Sequence, residues 1–283
     1  MNSKIIDVSK WNAILNFSII SDSVDGVIVR VGFSGNNTGV PSLDSRFIPY
    51  ITELNNNNVP IGAYYVTAAI TVEESIKEAQ FFINAINQTK IKLSLPIFVC
   101  TEWTSSSHNG RCDNISIEDR TNNIKAFIDE CTKLGYNCGI MATDTWLDNN
   151  LDMTELSDKY IWITSLKDNN INRHNKIMGR ISERSEVKGI AGSVCLNELT
   201  TLINPYINSP KPEKKSKEKE KKKTYKEGSY FKVKDSEVFK TSISSTVIKT
   251  ISGRVYVTNP RVLNGRIRIT DTKNGETIGW INI

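Results

Sequence analysis

Along residues 1–207 the apolar positions switch repeatedly between short continuous runs and a 3.6-residue spacing. The runs Lys4–Val8, Gly26–Val31, Ile61–Val66, Leu95–Val99, Asn137–Ala142, Tyr160–Ser165 and Ala191–Leu196 are short and apolar, the signature of buried strands. Helical spacing lies between several of them. Thr71 precedes a stretch in which Ile76, Ala79, Phe82, Ile83 and Ile86 share one face, and Glu74 stands three positions after Thr71, a capping-box signature. The stretch 116–135 repeats the pattern with Ile124, Phe127, Ile128 and Cys131, and Gly135 ends it. Strands alternating with helices predict a mostly parallel sheet. Seven or eight strands in about two hundred residues point to a small TIM-like β/α barrel, so the fold class is α/β.

After Gly228 helical spacing disappears. Tyr230–Val233, Thr246–Ile251, Val255–Val257, Arg266–Thr270 and Thr277–Ile281 alternate in the two-residue period of strands. The pairs Ser252-Gly253, Asn259-Pro260, Asn264-Gly265 and Asn274-Gly275 read as turns between them. Residues 228–283 are thus expected to form a small all-β barrel. Between the two patterns lies a tether, 208–227, that begins Asn208-Ser209-Pro210-Lys211-Pro212. From Lys211 to Lys226 it carries nine lysines against three glutamates, more than the net charge of +5 of the whole 283-residue chain. Such a tract can bind nucleic acid. A solvated, self-repelling linker is the stronger reading, so no nucleic-acid partner is expected.

No apolar run is long enough to span a bilayer, and no membrane insertion is expected. The N-terminus lacks a secretory pattern, which predicts synthesis in the cytoplasm. The five cysteines are read as thiols. None has paired CxxC spacing, so no zinc site, metal or cofactor is expected. His108 and His174 sit in polar stretches and receive no role.

The chemistry concentrates at strand ends. In a parallel barrel, reactive groups stand at the C-terminal ends of the strands. Asp7 closes the first run, Cys100 and Glu102 follow the fourth at a spacing that shares a face, and Cys195 belongs to the last. The expectation is that Asp7, Cys100, Glu102 and Cys195 converge on one mouth. Trp11, Trp103 and Trp146 are candidate stacking surfaces for a ligand. Trp103 is the best placed of these, while Trp162 reads as core.

The stretches Ile5-Ile6-Asp7-Val8-Ser9-Lys10-Trp11, Leu95–Glu102 and Gly192-Ser193-Val194-Cys195-Leu196-Asn197 resemble the active-site strands of the family 25 glycoside hydrolases, bacterial and phage lysozymes that cut peptidoglycan. Gly26–Phe33, Pro60–Tyr65, Gly135–Met141 and Tyr160–Ile163 extend the likeness over about residues 4–205. The family pattern is Asp-x-Glu at the second stretch and Asn-Val-Asp-Leu-Asn at the third, and each of those aspartates is a cysteine here. The resemblance implies that Glu102 matches the general acid and Asp7 a carboxylate across the cleft. Cys100 occupies the place of an aspartate that assists at the sugar carbon or orients its acetamido group. Cys195 occupies the place of the last-strand aspartate. Tyr64 and Trp103 are the implied substrate contacts. The family often has Trp-Gln-Tyr before its last strand, where this chain reads Met178-Gly179-Arg180-Ile181-Ser182-Glu183. A tyrosine usual after the third strand is missing from Thr67-Ala68-Ala69.

Glycoside hydrolysis needs two carboxyl functions flanking an oxocarbenium-like transition state. Thiols in place of two of them predict impaired or absent catalysis, so a residual muramidase and a non-catalytic glycan-binding protein both remain open. Cys100 and Cys195 themselves have three readings: drift, a disulfide or redox pair, and oxidation to a sulfinate. The C-terminal part resembles bacterial Src-homology-3-like wall-binding domains through Val257–Arg261, Asn264–Ile269 and Ile278–Ile281. Together the two likenesses imply a peptidoglycan partner and action at the bacterial cell wall, reached by holin-type or lytic release. Nothing in the pattern demands an oligomer, so a monomer is expected.

Overall fold

The computed structural model describes residues 3–105, 107–166, 175–207, 225–242, 246–263 and 265–283. His174 and most of the 208–227 tether lie outside the described residues. The chain divides into two compact units, Met1–Pro210 and Lys211–Ile283.

The first unit begins with β1 (Ser3–Val8), β2 (Ala13–Ile14), α1 (Phe17–Ser23), β3 (Gly26–Ser34), β4 (Pro41–Leu43) and α2 (Phe47–Asn56). Then follow β5 (Ile61–Val66), α3 (Val72–Thr89), β6 (Ile97–Cys100), α4 (Ile117–Lys133), β7 (Cys138–Ala142), α5 (Asp144–Asn150) and β8 (Ile161–Ile163). It ends with β9 (Lys176–Glu186), β10 (Ile190–Ala191) and β11 (Ser193–Leu199). Eight strands close in the order β1-β11-β9-β8-β7-β6-β5-β3, with β3 returning to β1 and β4 added to its outer edge. The pairs from β1 through β3, β5, β6, β7 and β8 to β9 are parallel, whereas β11 runs antiparallel to both β9 and β1.

Strand alternation divides the core in two. Inward side chains Ile5, Ile28, Tyr64, Phe98, Cys100, Met141, Trp162 and Met178 fill the cylinder. Outward ones such as Ile6, Val27, Val29, Ala63, Val99 and Ile140 pack under the helices. Phe98 meets Trp162 with ring centroids 5.2 Å apart and Tyr160 at 5.6 Å, both edge-on, a geometry that contributes about 0.5–1.5 kcal/mol per pair beyond burial. Thr71 caps α3 by accepting the Glu74 amide at 3.3 Å, and Ser116 caps α4 by accepting the Asp119 amide at 3.0 Å. Glu74 does not complete the capping box on Thr71. Its carboxylate accepts from the Ile70 amide at 2.9 Å and from an Arg111 fork at 2.6 and 2.8 Å.

The barrel departs from the regular alternation of strand and helix. Among the described residues no helix separates β8 from β9 or β9 from β11. Strand β9 went unread in the sequence because its apolar positions stop at Ile181 and a charged run follows. The strand expected from Leu95 starts at Ile97, because Pro96 has no amide to donate.

The second unit contains β12 (Tyr230–Phe239), β13 (Val247–Leu263), β14 (Arg266–Thr270) and β15 (Gly279–Asn282), closed into a barrel around Val238, Val255, Val257, Ile267, Ile269 and Ile281. Two expected turns are not turns. Gly253 lies inside β13 with φ +115°, beside a register shift opposite Asp235, so it bends one long strand where a hairpin was expected. Asn259-Pro260 is a second irregularity in the same strand. The hairpin at Gly265 (φ +69°) and the turn at Asn274 (φ +62°) do reverse the chain. Tyr225, within the expected tether, packs on Phe231 at 5.7 Å.

Gly139 in β7 admits the Tyr160 ring: a Cβ there would meet that ring at 2.1 Å and the Tyr160 carbonyl at 2.7 Å. Gly139→Ala is therefore expected to lower stability by about 1–3 kcal/mol, read as a lower urea midpoint with an unchanged slope. A midpoint equal to wild type would show that Tyr160 yields freely.

Candidate active site

Inward positions near the C-terminal ends of β1 and β6 carry Asp7 and Cys100. Asp7 pairs in register with Ile28 on one side and with Cys195 on the other. Cys195 is the correction here: it lies near the beginning of β11, not at a C-terminal strand end. Because β11 runs backwards, its beginning reaches the same mouth.

Asp7 is buried and held by two neighbours. The Asn197 amide donates to Oδ2 at 2.9 Å, and Arg180 Nη2 stands 3.3 Å from both carboxylate oxygens. Asn197 is itself fixed, because its Oδ1 accepts from Trp162 Nε1 at 3.0 Å and its Nδ2 donates to the Ile5 carbonyl at 3.3 Å. Burial raises the Asp7 carboxyl above its ordinary value, with Arg180 and Asn197 only partly opposing it. Asn197 and Arg180 are the site residues that sequence reasoning did not assign. The available signal for Arg180 was a cation in the stretch just before the last strand.

Glu102 lies two residues beyond Cys100. It is exposed as a residue, and its carboxyl group and the Cys100 thiol influence each other electrostatically. Burial raises the Glu102 carboxyl; Arg180 and the Cys100 thiol oppose that, and Asp7 adds to it. The Cys100 thiol is pushed well above its ordinary value by burial first and by the Glu102 charge next. Cys195 is pushed up to about 11, again mainly by burial. Both are free thiols, with Cys195 Sγ 3.9 Å from the Glu183 carbonyl oxygen. At neutral pH neither sulfur carries charge, so neither supplies what a carboxylate would.

Further cations and rings complete the mouth. Arg30 is locked on Asp44, with Nε donating to Oδ2 at 2.7 Å. Tyr64 is buried edge-on against Trp162 at 6.0 Å and feels the charges of Asp7, Arg30 and Glu102. Trp103 is 40% exposed, but one face is covered by His108, stacked at 3.9 Å with an interplanar angle of 7°. His108, left without a role from sequence, is thus the partner of Trp103. Trp11 is 79% exposed and carries Lys10 Nζ 4.8 Å from its ring centre, which makes it the more open platform. Trp146 is buried, donating to Thr101 Oγ1 at 3.0 Å, and Trp162 is core.

The mouth therefore offers two carboxyl groups raised by burial, one of them paired to an arginine, and two neutral thiols. A raised carboxyl is what a general acid requires. Among the described residues no cluster of His, Cys, Asp or Glu is suited to a metal, and no helix is long and apolar enough to cross a membrane.

A family model described as glycosyl hydrolases family 25 matches residues 6–182. No curated protein matches the chain. Among solved structures, the modular autolysin LytC from Streptococcus pneumoniae, in complex with a synthetic peptidoglycan ligand, is similar at 25% identity and TM-score 0.62, covering 70% of this chain and 46% of LytC. The chain thus spans less than half the length of that relative. The catalytic domain of endolysin ply40 from bacteriophage P40 of Listeria monocytogenes is similar in fold, with 18% identity and TM-score 0.53, over 71% of this chain and 94% of that one. The spore cortex lytic enzyme SleM of Clostridium perfringens is 16% identical with TM-score 0.59, covering 99% of this chain and 98% of SleM.

The raised carboxyls set the sign of a pH effect. Folded, Glu102 holds its proton above the ordinary 4.5. The native state then binds more protons than the unfolded one, and stability falls as pH rises from that value through the folded pKa. Glu102→Gln removes this loss. The variant is expected to melt higher than wild type at neutral pH, with the difference vanishing in melts below about pH 4. A variant that melts lower than wild type at neutral pH would contradict the raised carboxyl.

Proposed function

The chain belongs to the family 25 glycosyl hydrolases, and from that premise we propose that it is a peptidoglycan-directed protein that binds wall glycan in the barrel mouth while hydrolysing it poorly or not at all. The observation that carries this reading is the charge balance at the mouth. An oxocarbenium-like transition state is stabilised by a nearby negative charge. Here Arg180 offsets Asp7, and the position that matches the family's assisting aspartate holds the neutral thiol of Cys100. Glu102 keeps the attributes of an acid but acts without an anionic partner. The peptidoglycan ligand in the LytC complex supports the choice of polymer.

The small β-barrel is proposed as a Src-homology-3-like wall-binding unit, joined by the lysine-rich tether, with boundaries near 207 and 228. Its support is the closed four-strand architecture and the likeness over almost the full length of SleM. A tethered second binder raises the local concentration of the first at its polymer. Action at the bacterial cell wall, as a monomer, belongs to the same reading.

Turbidity of purified Gram-positive walls tests the chemistry. Wild type is expected to match Glu102→Gln, with no clearing by either. The combined Cys100→Asp, Cys195→Asp and Arg180→Gln variant should clear at least about a hundredfold faster, the scale of one restored catalytic group. Clearing by wild type at the rate of that variant would refute poor hydrolysis. An inert triple variant would refute charge balance as the cause.

A further inference from the structure

Arg180 meets its carboxylate at longer distances than Arg111 or Arg30 do, while a buried guanidinium nitrogen without a hydrogen-bond partner is a feature it shares with Arg30 and Arg120. Arg111 grips Glu74 with two nitrogens at 2.6 and 2.8 Å, and Arg30 meets Asp44 at 2.7 Å. Charge-assisted N–H···O bonds normally measure about 2.7–2.9 Å. Arg180 reaches Asp7 with a single nitrogen, 3.3 Å from each oxygen, and its buried Nε has no hydrogen-bond partner among the described residues. Its side chain is only 13% exposed. A desolvated guanidinium whose pairing is long and made by one nitrogen is costly to leave so and is suited to a planar, two-oxygen acceptor. The guanidinium reaches the inward-facing Asp7, and Arg180 pairs in register with Asn197, so it faces the barrel interior and not the sheet exterior. The neutral thiol of Cys100 leaves no protein carboxylate at that position to compete for the guanidinium.

We propose that Arg180 is a specificity residue that takes the carboxylate of an acidic sugar, so that the mouth prefers muramyl units whose lactyl carboxylate is free over units in which it is blocked. This deepens the glycan-binding reading and rests on it. The lactyl group supplies two coplanar oxygens on the ring itself. A carboxylate on a peptide stem would supply the same chemistry from further away, and the experiment separates the two sources.

The test is calorimetric binding by the full chain at neutral pH. The probes are the N-acetylglucosaminyl-N-acetylmuramic acid disaccharide, its lactyl methyl ester and muramyl dipeptide. Wild type is expected to bind the free acid about ten- to a hundredfold more tightly than the ester, the scale of a hydrogen bond to a charged group. Arg180→Gln should abolish the preference, and Arg180→Lys should keep only part of it. The acid–ester comparison on wild type stands even if a variant folds poorly. Equal binding of acid and ester would overturn the proposal and leave the glycan reading intact. Binding of neither would overturn both. Retention of the preference by Arg180→Gln would overturn the assignment to Arg180. Tighter binding of the dipeptide than of the disaccharide acid would overturn the sugar carboxylate as the ligand.

Discussion

Seven strands that run the same way need an eighth to seal the cylinder, and β11 does so by running against both neighbours. That reversal has a consequence for chemistry. Parallel strands bring their C-terminal ends to one rim, and an antiparallel strand brings its beginning there. The register Asp7↔Cys195 therefore juxtaposes residues from opposite ends of the first unit, and Asn197 two places on becomes the support of Asp7. The chain Trp162–Asn197–Asp7 ties the closing strand, the aromatic interior and the buried carboxylate into one hydrogen-bonded unit. Removing any member would leave a buried polar group unsatisfied.

The electrostatics of the mouth follow from this closure. Burial acts on every titratable group there in the same direction, against charge. At Asp7, Arg180 and Asn197 oppose that effect only in part, and its carboxyl remains raised. The Glu102 carboxyl is raised as well, and the two thiols stay neutral at neutral pH. A site tuned for glycoside cleavage sets one protonated acid against one anion. Here the acid remains, while the anion is matched by a cation from β9. The arrangement suits holding a polar ligand better than stabilising positive charge on a sugar carbon. The slack pairing of Arg180 fits that bias, because a guanidinium that is already desolvated and only partly used loses little on accepting a ligand anion.

Rigid support extends around the rim. The segment after β6 carries Glu102 and Trp103 and is fastened by Asp113, which accepts from the Thr104 and Gly110 amides at 2.9 Å each, and by the Arg111 fork on Glu74. Trp103 is likewise committed, with His108 on one face and Trp146 at its edge. A ring stacked on one face and met at its edge guides the segment more than it offers a sugar a flat surface. Trp11 keeps its exposure because the loop after β1 leaves its ring outside the core.

Much of this was legible in the residues alone. Short apolar runs marked six of the seven parallel barrel strands, as well as the closing strand, because a buried strand must be apolar on both faces. Thr71 and Ser116 marked two helix starts because unpaired amides require local acceptors. Asp7, Cys100, Glu102 and Cys195 could be named because motifs at strand ends are local. The tertiary structure decided the rest. The turn-like pair Ser252-Gly253 became a bend within β13, since cross-strand pairing outweighed local turn preference. Strand β9 was hidden because half of it lies in a charged run, and with it went Arg180. Whether an arginine faces solvent or a buried carboxylate depends on which strand becomes its neighbour, and that is settled by closure of the sheet between residues about 170 positions apart in sequence. No local pattern encodes such a pairing, because the interaction exists only once the barrel has shut.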